Sequence, residues 1–128
     1  MTIELTMLVY AVLLTFAIIM VHASAAILQF GLMPLAGSRD DIGEPSVFVA
    51  RAQRLSRNMQ ENLLLFAALV LAANAAGISN DMTVAGAQIF VAGRVAHAVI
   101  YLAGWPYVRP LAWGVAVIGG GMIALSLI

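Results

Sequence analysis

Polar and apolar positions alternate along this chain in blocks long enough to be read one by one. Positions 5–33 hold no formal charge, and a bilayer core of about 30 Å needs only ~20 apolar residues as helix, so this block predicts a first membrane-spanning helix. Glu4 precedes it without any basic residue, unlike the basic start of a signal peptide, so it is read as a retained helix. The stretch PLAGSRDDIGEPS then brings prolines, glycines and charges together, as a loop does. A second helix is expected over 46–76, closed by Gly77 and the polar residues Ser79 to Asp81. A third is expected over 82–103, ended by GWPYVRP, and a fourth over 111–128. Trp105, Tyr107 and Trp113 fall where an interfacial aromatic belt belongs. The pattern thus predicts an all-α integral membrane four-helix bundle, up-down-up-down, as a single domain over 1–128.

The second block is not uniformly apolar. RAQRLSRNMQE puts Arg51, Arg54, Asn58 and Glu61 within roughly an 80° arc of a helix, with Arg57 at its edge one turn before Glu61. The third block carries a second stripe, Arg94, His97 and Tyr101. A charge at the bilayer centre costs about 2.5 kcal/mol or more, so both stripes must face other helices or a wet cavity. The second helix descends from the side to which the third returns. Counting at 1.5 Å per residue then sets Arg54 level with Tyr101, Asn58 with His97 at roughly 10 Å, and Glu61 with Arg94 at roughly 14 Å. On this count Glu61 and Arg94 neutralise each other. The plainer reading is that such groups only glue the bundle or reach lipid headgroups. His22, alone beside Ala23, Ser24 and Ala25, is read as a packing residue, and Gly119 to Gly121 as a point of close helix approach.

Composition sharpens this picture. The chain is 63% hydrophobic and 9% charged, with a mean hydropathy of +1.02, against about 25% charged residues in a soluble domain. Net charge is zero and all six basic residues are arginine, which excludes a nucleic-acid surface. Cysteine is absent, so disulfides, thiolate metal sites and a catalytic thiol are excluded, and any thiol chemistry must use a sulfur carried by a bound molecule. Two histidines are too few for a metal site of their own. Arg39, Arg51, Arg54, Arg57 and Arg109 gather at the first and third loops, so both termini are expected outside and those loops in the cytoplasm.

RAQRLSRNMQE resembles the second-helix motif of the MAPEG family (membrane-associated proteins in eicosanoid and glutathione metabolism), and RVAHAVIY is similar to the third-helix segment of its prostaglandin E synthase branch. The resemblance covers nearly the whole chain and is nearest to the short bacterial members. It implies a homotrimer, in a bacterial inner membrane, that binds glutathione between subunits and acts on a lipophilic substrate as transferase or peroxidase. Carried residue by residue, it implies that Arg54, Arg57, Asn58, Glu61 and His97 bind the cofactor and that Arg94 supports Glu61. It further implies that Arg109 stabilises the thiolate and that Tyr101 lies with Arg109 at the catalytic step. The spacing from Tyr101 to Arg109 is one residue shorter than in that branch, Pro110 replaces its serine, and Arg39 is the nearest counterpart of the basic residue at the end of the first helix. Two other readings stand beside this one: a proton-coupled carrier with Glu61 as its coupling carboxylate, and a catalytically silent binding member.

Overall fold

A computed structural model describes all 128 residues. The chain forms α1 (Ile3–Phe30), a short α2 (Leu32–Ala36), α3 (Val47–Ala75), α4 (Asp81–Ala103) and α5 (Arg109–Leu127), with no strand. Local chemistry sets the boundaries. The Thr2 hydroxyl accepts from Leu5 N to start α1, and the Ser46 hydroxyl accepts from Val49 N to start α3. Asn80 and Thr83 exchange side-chain and backbone hydrogen bonds in a capping box that opens α4.

Two boundaries differ from those expected. The first helix does not run to 33: Gly31 takes φ +86°, which a residue with a Cβ rarely adopts, and the chain restarts as the five-residue α2. The last helix begins at Arg109 rather than 111, because Pro110 falls in its first turn, where a missing N–H costs nothing.

The four long helices alternate in direction. Antiparallel pairing of α3 with α4 follows from Arg54 meeting Tyr101 and from Phe66 stacking on Phe90, ring centroids 3.9 Å apart. Gln29, near the end of α1, donates to Glu44 O and accepts from Ser46 N, which fixes the entry to α3. At the opposite end the buried Glu4 carboxylate accepts hydrogen bonds from the Ser79 and Thr83 hydroxyls, so the start of α1 is fastened to the start of α4. One apolar core, Ala11, Phe66, Val70, Phe90, Ala116 and Ile123 among them, fills the Glu4 half of the bundle. A second, of Ile18, Leu55, Met59 and Ala98, lies toward the loop end.

Helices α4 and α5 touch backbone to backbone. A Cβ on Gly119 would fall 2.5 Å from Gly86 O and 2.6 Å from Phe90 N, so only glycine permits this approach. Of the expected Gly119 to Gly121 contact, Gly119 alone carries it; Gly120 and Gly121 face open space.

Helices α1, α4 and α5 are each long and apolar enough to cross a membrane. Their outward faces are apolar, with Leu28 and Leu125 exposed, as acyl chains rather than water require. The 29 residues of α3 run alongside them from the Ser46 end to the Glu4 end, although its polar stripe lowers its hydropathy. The protein is an integral membrane helical bundle.

Candidate functional site

At the loop end, the facing stripes of α3 and α4 and the first turn of α5 enclose a cavity of about 430 Å3. Arg54, Arg57, Asn58 and Glu61 line it from α3; His97 and Tyr101 line it from α4; Arg109 lines it from α5. Seven of the residues singled out in the sequence thus share one wall system, and Asn58 and Tyr101 open onto the same space.

Tyr101 is its hub. Arg54 Nε donates to the Tyr101 hydroxyl at 3.2 Å, and the Arg109 guanidinium carbon lies 4.7 Å from the centre of the Tyr101 ring, a cation–π contact. The His97 ring stands 5.5 Å from that ring at 57°. His97 is buried, and its Nδ1 has no hydrogen-bond partner. The turn 104–108 delivers Arg109 here, with Gly104 and Tyr107 both in the left-handed region at φ +73° and +68°.

Arg94 lies behind this wall. It is fully buried, and Nη2 donates to Asn58 Oδ1 at 2.7 Å while Nε donates to Met59 Sδ at 3.2 Å. The expected Arg94–Glu61 pair is therefore corrected to Arg94–Asn58. Counting along the axes fixed the level of the residues but not their rotation. Met59 faces Arg94, and Glu61 sits about 160° further round α3 at 100° per residue. Glu61 is instead exposed and turned to the cavity mouth. Arg51, the fourth member of the stripe, does not reach the cavity. Its guanidinium packs against Gly104, where a Cβ would come within 2.6 Å of Cζ, beside the negative end of the α4 dipole.

Pro110 and Trp113 also line the cavity and were not singled out as site residues. Trp113 is one turn beyond Arg109, a spacing that would have placed it on the same face once the helix start was known. A second polar cavity, of about 380 Å3, adjoins the first through the shared residues Arg57 and Glu61. His22, Gln53, Ser56 and Gln60 complete it, so His22 faces a cavity instead of packing among apolar side chains. Gln53 and Gln60 flank Arg57 at i−4 and i+3, a helical spacing that was visible in the sequence.

The model of the MAPEG family matches residues 5–128, nearly the whole chain, and the protein belongs to that family, which includes glutathione-dependent transferases and peroxidases. No curated protein and no solved structure gives a match.

Proposed function

We propose that this MAPEG member is a membrane enzyme that binds glutathione in the arginine-lined cavity and acts on a lipophilic electrophile, as a transferase or peroxidase. The observation that carries this reading is the charge pattern of one cavity: the guanidinium groups of Arg54, Arg57 and Arg109 surround a single carboxylate, Glu61. Glutathione has two carboxylates and one ammonium group, and this set is their complement. A cavity of about 430 Å3 suits one small molecule.

Bound glutathione supplies the nucleophilic sulfur that a chain without cysteine lacks. Arg54, Arg57 and Asn58 hold its peptide, Glu61 meets its ammonium group, and His97 lies alongside. Arg94 is a positioning residue: by donating to Asn58 Oδ1 it turns that amide so that its N–H groups are offered to the cavity. Arg109 places positive charge beside the Tyr101 ring. A free thiol with a pKa near ~8.5 is mostly protonated at neutral pH, and a neighbouring guanidinium favours its anion. Because the Tyr101 hydroxyl accepts from Arg54, its own proton remains available to an anion in the cavity.

A carrier using Glu61 fits less well, since three arginines line the same cavity and repel a cationic cargo. Arg57, Gln60 and Glu61 are exposed on α3, next to Leu64 and Leu65 at 71% and 66% exposure. Charge facing lipid is costly, so in this reading neighbouring copies of the chain cover that face, as a trimer. The arginine-rich end faces the cytoplasm of a bacterial cell by the positive-inside rule. Calorimetric titration of the detergent-purified protein with glutathione tests the proposal. Wild type gives saturable heat and Glu61→Gln weakens binding about tenfold, the worth of one charge-assisted hydrogen bond. Absence of heat with wild type overturns it.

A further inference from the structure

At the end of the bundle opposite the arginine-lined cavity, a small cavity of about 130 Å3 lies between the start of α1, the end of α3 and the turn that joins α3 to α4. Thr2 and Glu4 line it from the first, Asn74 from the second, and Gly77 and Ser79 from the turn. Every polar side chain on its wall carries an oxygen, and no basic residue stands among them. Of the arginines, Arg94 reaches Asn58 and the others belong to the loop end.

Glu4 is the group that needs explaining. It is only 3% exposed, and it brings a carboxylate to a cavity without a cationic side chain. Oε1 is fully used, accepting from the Ser79 and Thr83 hydroxyls. Oε2 is buried and has no partner. A carboxylate oxygen buried without a partner is costly, and the chain itself offers none. The helix ends point the same way. Ala73 and Asn74, in the last turn of the 29-residue α3, face the cavity and present the negative end of its dipole, where a cation is favoured. The Gly77 carbonyl beyond that end accepts no hydrogen bond within the chain. Glu4 and Thr83 stand in the first turns of α1 and α4. The carboxylate is thus set against two positive helix ends, and the cavity beside it against a negative one.

We infer that this cavity binds a monovalent metal cation, sodium, on Glu4 Oε2, with neutral oxygens of Thr2, Asn74, Gly77 and Ser79 as the further donors. Charge and size give the class. One carboxylate among neutral oxygens balances one positive charge, whereas calcium sites usually bring several carboxylates together. Transition metals favour imidazole or thiolate, and no group of three His, Asp or Glu side chains occurs anywhere in the chain. The volume lies below the range of about 300–1,000 Å3 that suits an organic ligand, so an ion with its remaining waters is the fitting occupant. Held there, the ion ties the start of α1 to the end of α3 and to the turn before α4. None of these residues lines the arginine-rich cavity, so the inference goes beyond glutathione binding and stands without it.

The test is thermal unfolding of the full-length, detergent-purified protein in sodium chloride and, at equal ionic strength, in the chloride of N-methylglucamine, a cation too large for the cavity. Sodium raises the melting temperature of wild type saturably, by about 5 °C at roughly tenfold excess over its dissociation constant. Glu4→Gln keeps the shape of the side chain, removes its charge, and melts alike in the two salts. Sodium NMR gives a second readout, a line that broadens with wild type and not with Glu4→Gln. Asn74→Ala weakens sodium binding about tenfold, as loss of one oxygen facing a charge does, and leaves both hydrogen bonds of Glu4 in place. It keeps the test decisive if Glu4→Gln does not fold. Asp81→Asn, which alters an exposed acid at the same end, retains the full sodium response. The inference is overturned if wild type melts alike in the two salts, in which case a proton or a water satisfies Oε2. It is equally overturned if the sodium response survives in Glu4→Gln, or if Asp81→Asn abolishes it and sodium acts on surface charge alone.

Discussion

Individual side chains divide here into those that hold the bundle and those that face its cavities. Arg94 belongs to the first group: its guanidinium has no exposure, Nη2 is taken by Asn58 and Nε by Met59, and Nη1 is left without a partner. Removing such a partner from a buried charge costs about 3–5 kcal/mol in general. Arg109 belongs to the second group, since it reaches the cavity over the Tyr101 face and anchors nothing else. Arg109→Ala is therefore expected to keep the glutathione-binding heat within a few fold and to lose the ultraviolet thiolate absorbance of the bound molecule. An unchanged thiolate signal in that variant removes Arg109 from the proposed chemistry. The composition of the cavity was legible at this scale, because charge in an apolar helix must turn inward. The partner of Arg94 was not, because helical counting gives level more reliably than rotation. Arg39 was illegible for a different reason. Its neighbours Asp40 and Asp41 suggest local neutralisation, and only the folded loop shows that the three charges part company.

Among the elements, the contrast between the two helix pairs matters most. Helices α4 and α5 meet at backbone distance through Gly86, Gly93 and Gly119, whereas α1 and α3 are held apart by larger side chains such as Ile18, Leu55 and Met59. The tight pair fixes where Arg109 stands relative to Tyr101. Gly119→Val, with a Cβ forced onto Gly86 O, is expected to destabilise the fold by roughly 1–3 kcal/mol, the usual range for overpacking. Gly121→Val, in open space, should leave stability nearly unchanged. Thermal unfolding in detergent checks both, and equal melting temperatures for the two variants contradict the account. The four long helices could be read from the sequence because apolar blocks of that length admit little else. Their ends were harder: whether a glycine stops a helix, as Gly31 does, or a proline begins one, as Pro110 nearly does, depends on backbone angles that composition leaves open.

For the whole molecule, the unresolved demand is the exposed polar face of α3. A monomer in a bilayer would show Arg57, Gln60 and Glu61 to acyl chains or to a water defect. Self-association is the expected remedy, and sedimentation or native mass spectrometry of the detergent complex should find a trimer that weakens when Arg57 and Glu61 are both replaced by leucine. A stable wild-type monomer contradicts it. At the opposite end of the bundle the one buried acid, Glu4, is held inside the chain, with Oε1 accepting from Ser79 and Thr83 and Oε2 left without a partner. That acid also imposes a timetable. Glu4 emerges from the ribosome well ahead of the hydroxyls of Ser79 and Thr83 that receive it, which are made some seventy-five residues later. The start of α1 must thus wait for α4 before it can dock, and a chain that stops short of α4 is left with an unmet carboxylate.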